Sequence, residues 1–380
     1  MRALRIAMIG QRGVPATFGG VEHHVEELGA RLAERGHEVT VYCRPNYVED
    51  HRTTYRGMRV RAVPTIGTKH LDAIVHSGLS TVEAIRAHAD IVHYHAIGPG
   101  LPSFLPRYAA RARVVQTVHG LDADRAKWGR GAQTVLRGGE WLSARVPDET
   151  IVVAENLAVH YRNVYGRSVS VIPNGVDPGV RRPPETIGER WGLAAGSYAV
   201  FVGRLVPEKA PDLLVRAWAD LPGDRRLVVA GGSSFTDEYV RTLERAARDD
   251  PRVILAGYVF GPPLEELYAN AAAFVLPSLL EGLPLTLLEA ASYGTPIVAS
   301  DIAPHLEVLG ADGPGHRVFR AGSADGLRDA LARVLEDPGG EAAGAEDLRA
   351  RVLAAYRWDD VVDRTEAVYR RALAGRRGRR

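Results

Sequence analysis

The sequence predicts an α/β protein of two doubly wound domains facing a central cleft. Three observations carry that expectation. Apolar, β-branched runs alternate with helical-period stretches from end to end, the pattern of parallel sheets covered on both faces. The 380 residues exceed one ordinary core and suit two domains of about 150–200 residues each. Near the middle, Pro173-Asn174-Gly175 and Arg181-Arg182-Pro183-Pro184 read as turn and linker, and divide the alternation into comparable halves. In such folds ligands bind outside the carboxyl ends of the strands.

The first domain spans 1–175, with strands expected at Arg5–Ile9, Glu38–Cys43, Arg59–Val63, Ile91–Tyr94, Val114–Val118, Thr150–Val153 and Val169–Ile172. Val21, Val25, Leu28 and Leu32, three to four apart, make Gly20–Arg35 an amphipathic helix. The second domain spans 190–358, with strands at Ala199–Val202, Leu227–Ala230, Val253–Ala256, Ala273–Leu276 and Ile297–Ala299. Its helices are expected at Pro211–Ala219, Asp237–Ala247, Leu264–Ala269 and Pro284–Tyr293. Two helical segments follow, Ala345–Tyr356 and Asp360–Ala374, and the second is expected to pack back on the first domain (360–374), ahead of a basic tail, 376–380.

Composition excludes several classes. A hydrophobic content of 46% with 25% charged residues is that of a folded globular chain. The longest apolar runs, such as Ala271–Pro277, fall short of the ~20 residues a spanning helix needs, and Gly10-Gln11-Arg12 interrupts the N-terminal run too early for a signal peptide. The single cysteine, Cys43, forms no internal disulfide and builds no zinc site alone, so a cytoplasmic location is expected. Net charge is +2, yet Arg370 to Arg380 hold six arginines and no acid. The folded body is therefore slightly acidic, which argues against nucleic acid as a partner and leaves the tail free to touch an anionic membrane face. Only three lysines, Lys69, Lys127 and Lys209, stand against 45 arginines, which singles them out as places where a compact charge is needed.

Three motifs carry chemistry. After the first strand comes Gly10-Gln-Arg-Gly-Val-Pro-Ala-Thr-Phe-Gly19-Gly20 and then a helix, a start at which backbone amides can approach an anion, though taken alone a Gly-Gly turn is more often plain backbone geometry. Neither the dinucleotide G-x-G-x-x-G nor a P-loop is present. The second domain opens with Phe201-Val202-Gly203-Arg204-Leu205-Val206-Pro207-Glu208-Lys209, where a strand ends and two cations flank the next helix start. A guanidinium fork plus an ammonium suits a diphosphate; the plainer reading is an exposed Glu208–Lys209 pair. Finally, Pro277-Ser-Leu-Leu-Glu281-Gly-Leu-Pro284-Leu-Thr-Leu-Leu-Glu289 sets one carboxylate ahead of a helix and another inside its apolar run. Both can accept hydrogen bonds from sugar hydroxyls, while the open amides near Gly282–Thr286 face phosphate.

Glu281-x7-Glu289, with Gly203-Arg204…Lys209, Ile172-Pro173-Asn174-Gly175-Val176 and Gly19-Gly20, resembles glycosyltransferase family four, whose members are retaining enzymes of the two-Rossmann GT-B architecture. Ile9-Gly-Gln-Arg-Gly-Val-Pro…Phe-Gly-Gly-Val-Glu and Val118-His-Gly-Leu-Asp…Lys127-Trp128 are similar to its bacterial rhamnosyltransferase-like branch. The resemblance implies a nucleotide-sugar donor on the second domain and an acceptor on the first. Arg204 and Lys209 would neutralise the diphosphate, helped by Gly203, Gly19, Gly20 and the amides of Gly282, Leu283, Leu285 and Thr286. Glu281 would bind donor-sugar hydroxyls, Glu289 the ribose, and Tyr258–Val259 would flank the base. His119 would lie beside the transferred sugar, with Asp122, Lys127, Trp128 and His95 on the acceptor or sugar side. UDP or dTDP is the expected carrier, and a saccharide or lipid-linked saccharide of an envelope polysaccharide the expected acceptor. Natural-product transfer is the alternative.

No metal or other cofactor is expected. Asp122-Ala123-Asp124 imitates a D-x-D metal motif, but the diphosphate already has two cations. His93 and His95 share one strand face without an evident third ligand, and His23 and His24 begin a helix. A sugar phosphorylase or nucleotide-sugar epimerase on the same architecture, and a non-catalytic nucleotide-sugar-binding subunit, are the competing readings.

Overall fold

A computed structural model of the protein describes residues 2–16, 19–48, 52–66, 72–121, 130–232 and 237–375. The chain forms two compact units. The N-terminal unit comprises Met1–Gly175 and Trp358–Arg380, the C-terminal unit Val176–Arg357. The second unit thus opens at Val176, not at 190. The intervening stretch is held to it by Val176 N donating to Tyr356 O at 2.8 Å and by Arg181 and Arg182, which pair with Glu346 and Glu265.

The N-terminal sheet contains β1 (Arg5–Ile9), β2 (Glu38–Cys43), β3 (Thr54–Tyr55), β4 (Met58–Ala62), β5 (Ile91–His95), β6 (Arg113–Val118), β7 (Glu149–Val152) and β8 (Ser170–Val171). Their order is β3-β4-β2-β1-β5-β6-β7-β8, parallel except for the β3–β4 pair. Strand order reverses between β1 and β5, in register at Met8 with His93. Alternation decides the two faces: Ile6 and Met8 join one core cluster, Ala7 and Ile9 the other. By the same rule Val92 and Tyr94 point to the second face, and His93 and His95 to the first. That first face is covered by α1 (Gly20–Glu34) and α14 (Trp358–Ala374), whose Val25, Leu28, Val361, Val362 and Tyr369 are buried together. The returning helix begins at Trp358, two residues earlier than expected, because Trp358 is itself core: it is 3% exposed and lies beside the His23 and His24 rings and under Arg31.

The C-terminal sheet runs β11-β10-β9-β12-β13-β14, all parallel, from β9 (Tyr198–Val202), β10 (Arg226–Ala230), β11 (Val253–Gly257), β12 (Ala273–Leu276), β13 (Ile297–Ser300) and β14 (His316–Phe319). Its order reverses between β9 and β12, paired at Val200 and Phe274, and open parallel sheets of this kind bind ligands at that point. α7 (Pro211–Ala219) follows β9, α9 (Pro262–Asn270) follows β11 and α10 (Leu285–Tyr293) follows β12. α13 (Pro338–Ala355) starts earlier than the expected Ala345. Asp337 caps it by accepting from Gly340 N at 3.0 Å, and Pro338 sits at the first position, where its missing N–H is harmless. Among the described residues no helix is long and apolar enough to cross a membrane.

Candidate functional site

In the C-terminal unit the predicted donor residues gather at the switch point. β9 delivers Gly203 and Arg204, then a short 3-10 turn over Pro207–Lys209. The main-chain oxygen of Glu208 accepts from Leu279 N at 2.8 Å, tying this turn to the loop after β12. The tie places Lys209 Nζ 2.6 Å from Glu281 Oε1, with both side chains largely buried. Lys209 therefore pairs with Glu281 and not with its neighbour Glu208. Glu208 is buried, and neither of its carboxylate oxygens has a partner among the described residues. Ser278 Oγ donates to the same Glu281 oxygen at 2.8 Å. Burial pushes the Glu281 carboxyl up, but the Lys209 ammonium, together with His305 and the Ser278 hydroxyl, holds the group below its ordinary value.

Two local features make room for that pair. A side chain at Gly203 would stand 3.1 Å from Lys209 Cδ, so glycine lets the lysine stem lie across the strand end. Ala210, directly after Lys209, holds a left-handed φ of 48°, a conformation that costs a non-glycine residue of order 1 kcal/mol or more and clusters at functional sites. α10 then begins without a side-chain cap. Leu283 and Leu285 pack inward, Gly282 is partly exposed, and Thr286 Oγ1 is buried with no partner among the described residues. An uncapped helix start with an idle hydroxyl, following the loop that holds the Lys209–Glu281 pair, is suited to phosphate oxygens.

Deeper in α10, Glu289 accepts from Tyr268 Oη at 2.9 Å. Burial, and then the Glu289 charge, drive the Tyr268 hydroxyl well above its ordinary value, so Tyr268 remains a donor at all ordinary pH. Beyond β11, Val259 is buried, while Tyr258 stacks on Phe260 with ring centroids 5.9 Å apart and planes 10° apart. Phe260 went unnoticed in the sequence, although an aromatic two residues after Tyr258 was the available signal. A Cβ at Gly232 would fall 2.2 Å from the Tyr258 ring, so only glycine permits this placement.

The N-terminal unit holds its own group of predicted residues. Gly19, at φ 153°, precedes the first turn of α1, which begins at Gly20. The loop before it is organised by acids of that helix: Arg12 N donates to Glu22 at 3.2 Å and Ala16 N to Glu26 at 2.5 Å. His93 is satisfied on both nitrogens, by Tyr369 Oη at 2.8 Å and Thr117 Oγ1 at 2.7 Å. His95 Nδ1 lies 3.3 Å from His119 Nε2, and His24 Nδ1 lies 2.9 Å from Asn174 Oδ1. Burial lowers His24 to about 4 and His93 to about 3, and drives His95 well down. The sequence left His93 and His95 without a third histidine; the structure supplies His24 and His119 next to His95. Asp122, Lys127, Trp128 and the tail at 376–380 lie outside the described residues.

Comparison with known proteins agrees with this layout. Residues 18–180 match Glycosyltransferase Family 4, and residues 196–337 match Glycosyl transferases group 1. The D-inositol 3-phosphate glycosyltransferase of Mycolicibacterium paratuberculosis is 31% identical over 93% of this chain and 86% of its own. An uncharacterized glycosyltransferase of Methanocaldococcus jannaschii is 26% identical over 97% of this chain and 99% of its own. Among solved structures, sucrose-phosphate synthase of Thermosynechococcus elongatus superposes with a TM-score of 0.84 at 24% identity, covering 97% of this chain and 99% of that one. HepE of Anabaena, solved with UDP-glucose, gives 0.82 at 18% identity, covering 96% and 98%. With both units matched and a relative above 30% identity along nearly its whole length, the chain belongs to glycosyltransferase family 4, a family of transferases on the two-domain GT-B fold.

Proposed function

We propose that the protein is a retaining glycosyltransferase. It moves a hexose from a nucleotide-diphosphate sugar, carried by UDP or dTDP, to a saccharide or lipid-linked saccharide acceptor of an envelope polysaccharide. One observation carries the reading: the buried Lys209–Glu281 pair at the switch point of the C-terminal sheet, beside the uncapped start of α10. Support for the donor class comes from HepE of Anabaena, solved with UDP and with UDP-glucose. For the acceptor class it comes from WaaG, a transferase of lipopolysaccharide biosynthesis with a TM-score of 0.75. The rhamnosyl branch rests on the resemblance of the N-terminal motif and of the Val118–Trp128 segment alone. A cytoplasmic enzyme working at the inner membrane face, with the arginine tail on anionic lipid, accords with such an acceptor.

Chemistry follows from charge. When the donor binds, Lys209 exchanges Glu281 for the diphosphate, and Arg204, the Thr286 hydroxyl and the first amides of α10 take further oxygens. Glu281, released, accepts from sugar hydroxyls, and Glu289 from the ribose. The bond between the sugar's anomeric carbon and the diphosphate oxygen breaks with its electron pair going to that oxygen. Preorganised positive charge stabilises the leaving group as the oxocarbenium-like transition state forms. The acceptor hydroxyl attacks from the face the phosphate leaves and passes its proton to the departing phosphate oxygen, so no protein nucleophile and no metal is needed.

The test is a thermal-shift titration with UDP, dTDP, GDP and ADP, beside Glu289→Ala. A ligand at 100 times its Kd stabilises the fold by ~2.7 kcal/mol, enough to rank the four. A shift for one base, diminished in Glu289→Ala, supports the reading and narrows the donor. No shift with any of the four removes its central support and favours the phosphorylase alternative.

A further inference from the structure

Three imidazoles from distant parts of the sequence meet near the switch point of the N-terminal sheet. His24 comes from α1, His95 ends β5, and His119 follows β6. One ring nitrogen from each lies within 4.8 Å of the other two. His95 Nδ1 and His119 Nε2 are 3.3 Å apart. That separation is close to the nitrogen–nitrogen edge of a tetrahedral ion with metal–nitrogen bonds of about 2.0–2.1 Å.

The outer contacts prepare these rings as ligands. Asn174, 3% exposed, presents its side-chain oxygen to His24 Nδ1 at 2.9 Å. A carbonyl oxygen only accepts, so Nδ1 carries the proton and Nε2 keeps its lone pair, the arrangement that outer-shell partners impose on metal-bound histidine. His95 turns its Nδ1 to another imidazole nitrogen, its Nε2 being buried with no partner among the described residues, so Nδ1 is the nitrogen through which it would take an ion. His93, next to it, is saturated by Tyr369 and Thr117 and does not join the set. His119 is partly exposed and gives an ion a way in.

We propose that His24, His95 and His119 form a binding site for a divalent transition-metal ion of the zinc class, with Asn174 holding His24 in the ligating tautomer. Three nitrogens without a carboxylate select Zn²⁺ and its neighbours over Mg²⁺ and Ca²⁺, which want oxygen. Three protein ligands leave the fourth position for water or another small ligand. Because the ligands stand at 24, 95 and 119, the unfolded chain offers no such site, and binding is coupled to folding. The resemblance sets His119 and His95 beside the sugar, so the ion is sought without donor or acceptor, and the result stands apart from the transfer reading.

The experiment uses the full chain, stripped with a chelator and titrated with ZnCl₂ by calorimetry and thermal shift, and with CoCl₂ by visible absorption. Expected are one ion per chain, a raised thermal midpoint with Zn²⁺ and none with Mg²⁺, and the intense visible absorption of four-coordinate cobalt. Asn174→Ala should weaken Zn²⁺ about 10- to 100-fold, and His24→Gln should abolish the cobalt band, while exposed His88→Gln changes neither. Metal-free midpoints confirm that the variants fold. If His24→Gln does not, carbethoxylation of the wild type with and without Zn²⁺ decides, since bound metal must protect the partly exposed His119. Absence of stoichiometric Zn²⁺ binding, a weak six-coordinate cobalt spectrum, unchanged affinity in the folded variants, or an unprotected His119 overturns the proposal.

Discussion

The two units share a doubly wound sheet but keep their buried polar groups in opposite states. Near the switch point of the N-terminal sheet the buried side chains include a group of imidazoles. Burial lowers His24 and His76 to about 4 and His93 to about 3, and drives His95 well down, so they are neutral at pH 7. In the C-terminal unit the corresponding place holds the charged Lys209–Glu281 pair, with His305 behind it lowered to about 4 by burial against the pull of Glu281. Neutral groups tolerate a dry interior at modest cost but depend on pH. A charged pair is stable only while both members remain, and losing one strands the other. The contrast suits one unit to hold ligands through lone pairs and the other to exchange a carboxylate for a diphosphate.

That contrast can be tested from both sides. Its largest expected effect is Trp358→Ala. Removing a buried indole should cost about 3–5 kcal/mol, confined to the N-terminal unit although the residue lies near the end of the chain. Hydrogen exchange resolved by unit checks this, and equal loss of protection in both would contradict the division. Next comes Lys209→Ala, expected to lower kcat by about 10²–10³-fold, or ~2.7–4 kcal/mol, with a smaller rise in donor KM. A variant near the wild-type rate removes Lys209 from the chemistry.

Acid should separate the units third. A histidine whose pKa is lower folded than unfolded is neutral in the native state, while the unfolded chain takes up a proton below about pH 6.5. Its contribution is whole above that value and is lost as pH falls towards 4, at about 1.4 kcal/mol per pH unit for each such histidine. The N-terminal unit carries His24, His76, His93 and His95. The C-terminal unit has His305 over the same range, and Glu281, whose carboxyl is held low, yields only at more acid pH. Urea unfolding at pH 7 and pH 5, followed by Trp358 in one single-tryptophan background and Trp218 in another, should show the first probe losing more. Smallest is Tyr268→Phe: deleting the hydroxyl on Glu289 should weaken nucleotide binding by about 1 kcal/mol, read by titration, and no change would detach Glu289 from the nucleotide.

Much of the fold was legible because each strand is a short apolar run with punctuation around it. β1, β2, β12 and α7 fall residue for residue where the pattern set them. β14 escaped notice because His316-Arg317-Val318-Phe319 has the composition of an exposed loop and becomes a strand only by pairing with β13. α13 began late in the reading because Pro338-Gly339-Gly340 spells a turn until Asp337 caps it. In the site, Arg204, Lys209, Glu281 and Glu289 were legible as local motifs. Their pairing was not, since Lys209 and Glu281 are 72 residues apart and Glu208 stood nearer as a partner. The His24–Asn174 bond spans 150 residues, and the strand face that brings His95 to His119 is set by sheet register, which no local pattern encodes.

The chain leaves the N-terminal unit at Gly175 and returns to it at Trp358. Translation therefore completes the C-terminal unit, Val176–Arg357, before the last helix of the first has left the ribosome. Until then the face of the N-terminal sheet that will receive Val361, Val362, Val368 and Tyr369 stands uncovered, and His93 lacks its tyrosine. The unit synthesised first is thus the one finished last, and a stop codon placed after residue 357 should release a polypeptide with a mature second half and an exposed, aggregation-prone first half.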